Sequence, residues 1–145
     1  MRENHAPFHV ILSRQNDVLL SFLNLRAIVN GKEIFPLANS SPVVIPVWEN
    51  HPRLVITDAY HITRPLKLVY KDIPVYGFKI KCAVSDQELA MGFGLLVLMY
   101  LGGFFTGILI LKVFSFIPLF YLLIFYYLNR KDFLKVVPIL KNVPQ

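Results

Sequence analysis

The sequence predicts a two-part fold: an N-terminal antiparallel β-sandwich of about seven strands, followed by a two-helix transmembrane hairpin. Three observations predict it. Residues 8–84 carry stretches that alternate apolar and polar side chains with a period of two. Turn-forming residues break that region at short intervals. Residues 89–129 then form an apolar block in which Lys112 is the one charged side chain.

In chain order, Phe8–Leu12 reads as the first strand, and Leu19–Asn24 either leads into or opens the second. Asn30-Gly31, between Leu25–Val29 and Glu33–Phe35, is a strong hairpin signal, because both turn positions accept positive φ. Residues 42–47 are apolar on both faces, as a central sandwich strand is, although Pro42 and Pro46 limit the ladder it can join. Arg53–Thr57 and Leu66–Tyr70 read as further strands. In Phe78–Val84, Phe78, Ile80, Cys82 and Val84 share the face opposite Lys79 and Lys81. Turns are expected at Asn39–Pro42, Glu49–Pro52, Arg64-Pro65 and Lys71–Pro74. Residues 1–88 form the soluble domain in this reading.

Leu89 to Leu111 runs without a charge. At about 1.5 Å per residue it rises roughly 34 Å, enough to cross a hydrocarbon core of about 30 Å. Residues 114–129 are shorter, near the lower limit of about 17 residues for a span. Three arrangements are open: one long helix, a hairpin turning near Lys112–Ser115, or a re-entrant wedge. The hairpin is the expectation, since Lys112 can then snorkel from a turn at the far interface. Pro118 moves the start of the second helix toward Phe116. Gly103 and Gly107 form a small-xxx-small pair and are candidate helix-packing residues. Tyr126, Tyr127, Arg130 and Lys131 form an aromatic-then-basic series expected to anchor the membrane interface.

Charge placement sets the expected sidedness. The chain has 145 residues, is 55% hydrophobic and carries a formal net charge of +6. Residues 1–88 hold ten Lys and Arg against eight Asp and Glu, whereas residues 130–145 hold four against one. The excess therefore lies beside the apolar block and not on a basic face suited to phosphates, so no nucleic-acid partner is expected. The N-terminus shows no signal-peptide pattern, and Lys79, Lys81 and the basic tail flank the block. The positive-inside rule then places both termini in the cytoplasm, with the chain in the plasma (inner) membrane. The tail, residues 130–145, reads as interfacial or disordered.

The run Leu25–Lys32, then Val43–Val47, then His51–Val55 resembles PEGA-type small β-sandwich domains over residues 22–70. That family carries a hairpin with Asn/Asp-Gly-Lys, an apolar strand and a His-containing segment. This chain has Glu49-Asn50 where a glycine is usual and lacks the Pro-Glu-Gly-Ala tetrapeptide. The resemblance implies a binding or structural module and brings no catalytic residues.

The residues point to no reaction. Carboxylates stand singly, and no phosphate loop, nucleophile elbow or dinucleotide fingerprint is present. His5 and His9 flank Pro7, which spoils a helical metal spacing; His51 is expected to order a turn and His61 to lie on the surface at a strand end. No catalytic, cofactor or metal site is expected, and Cys82 reads as a core thiol. Trp48 is the candidate partner contact, its alternative being a ring folded over the sandwich rim. The expected function is a non-enzymatic, membrane-anchored binding or scaffold module whose partners are the lipid bilayer and a protein. The alternatives are a small accessory subunit of a membrane enzyme or transporter, and a membrane-shaping hairpin.

Overall fold

The computed structural model describes residues 7–69 and 74–139. His5, the turn residues 71–73, Tyr70 and the tail beyond Ile139 lie outside them. In β1 (Phe8–Arg14), Phe8, Val10 and Leu12 are buried and the residues between are partly exposed, the signature of a pleated strand with one core face. Leu19–Asn24 does not extend a strand. Val18–Ser21 form a single helical turn, α1, after Asp17. The Ser21 amide closes the turn on the Asp17 carbonyl at 3.1 Å, and the Arg14 guanidinium binds it to β1 by donating to the carbonyls of Leu20, Leu23 and Leu37.

β2 (Arg26–Val29) and β3 (Glu33–Pro36) pair across the expected turn, with φ of +52° at Asn30 and +70° at Gly31. β4 (Val43–Val47), β5 (Arg53–Thr57), β6 (Leu66–Lys67), β7 (Val75–Cys82) and β8 (Leu134–Pro138) complete eight strands among the described residues. They form two four-stranded sheets, ordered β4-β1-β7-β8 and β3-β2-β5-β6. Side chains from both sheets belong to one buried cluster, including Val10, Ile45, Phe78 and Ile80 from the first and Ala27 and Ile56 from the second.

Three features differ from the expectation. β4 lies at a sheet edge, where Pro46 removes no interior ladder bond. β1 and β7 are parallel, so the first sheet is mixed; the chain between them passes through the second sheet, and a connection that long releases the antiparallel constraint of short hairpins. The stretch Leu134–Pro138 is strand β8, antiparallel to β7, with Cys82 opposite Leu134 and Phe78 opposite Pro138. Its alternation explains this: Leu134 is buried, Val136 half-buried, and Lys135 and Val137 exposed.

Between β7 and β8 runs a helical segment. α2 (Asp86–Thr106) begins at a capping box in which Ser85 Oγ accepts from the Glu88 amide and Glu88 accepts from the Ser85 amide. It ends at Gly107, whose φ of +72° suits glycine far better than any other residue. The turn therefore lies at Gly107-Ile108, five residues before Lys112, and the second arm starts earlier than expected, at Leu109. That arm comprises α3 (Leu109–Phe114) and α4 (Ile117–Leu128). Pro118 has no amide hydrogen, so the ladder breaks there, while Ser115 Oγ takes up the Lys112 carbonyl at 2.6 Å.

The second arm returns alongside the first. A Cβ on Gly103 would meet Lys112, Tyr100 faces Phe116, and a Cβ on Gly92 would touch Pro118. Asp86–Thr106 and Leu109–Leu128, of 21 and 20 residues, are each long and apolar enough to cross a membrane by length and composition. Most of their large apolar side chains are exposed, Phe105 to 81%.

Candidate functional site at the junction of helices and sheets

The C-terminal end of any helix leaves carbonyls without intrahelical partners. At the end of α4 the loop after β5 supplies them. His61 Nε2 lies 3.0 Å from the Tyr126 carbonyl, and Tyr60 Oη donates to the Tyr127 carbonyl at 3.3 Å. Arg130, just past the helix, returns the contact: its Nε and Nη2 donate to the Tyr60 carbonyl at 3.0 and 2.8 Å, and its guanidinium lies 4.2 Å from the Tyr60 ring centre. The Ile62 amide donates to the Arg130 carbonyl at 3.2 Å.

Asp58 builds the loop side of this clasp. One carboxylate oxygen accepts from the Tyr60 and His61 amides, and the other faces His61 Nδ1 at 2.9 Å. Burial pushes this carboxyl upward, but the His61 ring and the two amides outweigh it, and the group sits below its ordinary range. The His61 ring is fully buried, stacked on Phe133 at 4.3 Å and edge-on to Tyr126 at 4.4 Å.

An Asp–His pair can serve acid–base chemistry when one imidazole nitrogen is open to a reacting group. Here Nδ1 faces a carboxylate and Nε2 a carbonyl, so neither nitrogen is open and the pair acts as a strut. His61 is thus buried, not the surface residue expected from sequence. It is also the residue that sequence reasoning missed. Asp58-Ala-Tyr-His61 was the available signal, since an Asp accepting amides two and three residues on is ordinary turn chemistry that positions the ring.

The predicted interface anchors divide. The Tyr126 and Tyr127 carbonyls and the Arg130 guanidinium are engaged in the clasp, while the side chains of Tyr127, Arg130 and Lys131 are exposed. Gly103 is buried, and a Cβ there would come within 2.9 Å of the Lys112 backbone nitrogen, so it seats α3 against α2. A Cβ on Gly107 would meet nothing within 4 Å, and its φ of +72° makes the turn. Lys112 lies on the return arm near the turn, its ammonium 5.5 Å from the Phe104 ring centre.

Trp48 follows β4 and is 72% exposed; it does not fold over the rim. Its neighbour Glu49 accepts from Asn30 Nδ2 at 2.5 Å, and Asn30 Oδ1 accepts from the Arg53 amide at 2.8 Å. These bonds tie the Trp48 loop to the β2–β3 turn and to β5, so the exposed ring stands on a braced base. His51 takes a φ of +63° in that loop and is exposed. Cys82 is buried, and burial raises its thiol above the ordinary range, which keeps it a core side chain.

Among the described residues no three metal-ligating side chains stand together. No family model, curated protein or solved structure matches the chain.

Proposed function

We propose that the chain is a non-enzymatic, membrane-anchored β-sandwich that holds a partner protein at the cytoplasmic face through the Trp48 loop. The observation that carries this reading is the pairing of β7 with β8, with Cys82 opposite Leu134. The helical segment leaves the sheet and comes back to the neighbouring position, so its two ends are on one side of any membrane it enters. The two arms rise about 31 and 30 Å, matched to each other and to a hydrocarbon core of about 30 Å. Exposed apolar side chains over both arms are what lipid contact requires and water disfavours. Lys79, Lys81, Arg130, Lys131 and Lys135 flank the sheet ends of the arms, which supports a cytoplasmic sheet region in an inner or plasma membrane.

The clasp supports a mounting role. Residues 58–62 hold the end of α4, so the sheets have a fixed attitude on the helices and present Trp48 in one direction. The resemblance of residues 22–70 to PEGA-type modules adds support for binding over catalysis. The accessory-subunit reading needs a free helix face for its complex. Gly103, the natural seat for a foreign helix, is already filled by Lys112 within the chain.

The test is in-cell photo-crosslinking through an unnatural side chain at position 48, with Val137 on β8 as the control site. A discrete product of defined mass at 48 and none at 137 is expected, together with loss of the complex in Trp48→Ala at unchanged membrane abundance. Recovery of the chain alone under every mild-detergent condition contradicts the reading.

A further inference from the structure

Between the sheet-proximal half of α2 and the facing side of α4 lies an apolar groove of about 570 Å³. Gly92 and Leu96 line one side and Pro118 and Leu122 the other, with Glu88 and Lys135 at the end nearest the sheets. We infer that this groove takes one acyl chain of an amine-bearing zwitterionic phospholipid, its phosphate at Lys135 and its ammonium at Glu88. The inference rests on the reading of both arms as membrane spans.

The volume falls within the range of about 300–1,000 Å³ typical of small-molecule sites. Gly92 faces Pro118 across the groove, where a Cβ would already stand 3.5 Å from the Pro118 Cβ, so a larger side chain at position 92 would enter the space between the helices. In a bilayer an acyl chain passes from one hydrocarbon environment to another, so apolar transfer alone selects nothing. Selection falls to the charged end. The Glu88 carboxylate is held in place by Ser85, with one oxygen accepting from the Ser85 amide at 2.8 Å and from Ser85 Oγ at 3.0 Å. Lys135 is fixed at its backbone by the β7–β8 ladder, opposite Lys81. An acid and a base at one groove mouth match a headgroup carrying both charges, and they fit a purely anionic headgroup less well. Both sit at the level where the helices meet the sheets, which is the headgroup level if the arms span.

Native mass spectrometry of the full chain in mild detergent tests this, using equimolar dioleoyl phosphatidylethanolamine and dioleoyl phosphatidylglycerol. One retained lipid is expected, with phosphatidylethanolamine favoured about two- to threefold, as for an exposed pair of opposite charges. Glu88→Gln keeps the capping box but removes the ammonium's partner and should abolish most of that preference, whereas Lys135→Gln removes the partner of the phosphate that both lipids carry and should weaken retention of both. Gly92→Leu fills the groove from α2 and Leu122→Trp from α4, and both should lose the retained lipid. Ile124→Leu, outside the groove, should keep it. Retention unchanged in both filled variants, or equal retention of the two lipids by the wild type, overturns the proposal. Flotation with liposomes after a carbonate wash reads membrane insertion separately. A chain that floats but retains no lipid defeats this inference alone, and one that does not float defeats the membrane reading beneath it.

Discussion

The His61 ring stands between two acceptors, the Asp58 carboxylate at 2.9 Å and the Tyr126 carbonyl at 3.0 Å, so losing the ring leaves a buried acceptor short of a donor. A buried polar group without a partner costs about 1–3 kcal/mol, and the ring also leaves a cavity against Phe133. His61→Ala should therefore lower unfolding stability by about 2–4 kcal/mol, read by denaturant titration of the full chain in micelles. Asp58 adds a pH dependence. Its folded-state value lies below the unfolded one of about 3.9, so its contribution is complete above that pH and fades as pH falls through the folded value. Stability measured from about pH 5 downward should decline more steeply in the wild type than in Asp58→Asn, which starts less stable. A parallel decline in both proteins removes Asp58 as the cause.

At the scale of elements, two glycines in one apolar segment do different work. Gly107 holds a φ of +72°, which a Cβ strains by about 1–2 kcal/mol, whereas Gly94 is mid-helix with open space around it. Gly107→Ala should lower the thermal midpoint, and Gly94→Ala should leave it unchanged or raise it slightly. Gly103→Leu should do more damage than either, since a Cβ there presses on the Lys112 backbone. Parting of the arms would show as a longer distance between spin labels at positions 95 and 119. Legibility followed the range of the interaction. The Asn30-Gly31 hairpin, the capping acids Asp86 and Glu88 and the face shared by Phe78, Ile80 and Cys82 are encoded by neighbours in the chain. The turn was misplaced at Lys112 because a charge is the loudest signal in an apolar run, while Gly107 reads equally well as a packing residue. Which role it takes depends on where the second arm lies.

For the whole molecule, the β7–β8 pairing makes a topological demand that single-cysteine labelling can check. In sealed vesicles an impermeant maleimide should reach Asn39→Cys and Lys131→Cys from the same side and Ile108→Cys from the other. The buried native Cys82 should stay silent. Labelling of all three from one side contradicts two full crossings. The same pairing explains why His61, read as a surface residue, is buried: α4 and Phe133 cover it, and they reach it because β8 returns the chain to the sheet.

By itself the sequence determined the two-part composition, the local turns and caps, and the amphipathic faces of the strands. These rest on side-chain period, φ preference and hydrophobicity, all properties of short stretches. The tertiary structure decided the sheet order, the parallel β1–β7 pair, the turn at Gly107, the recruitment of Leu134–Pro138 as β8, and the clasp at His61. Each of those joins residues distant in the chain, and a short apolar strand satisfies its backbone equally well against several neighbours. Only packing of the whole chain around one core selects among them.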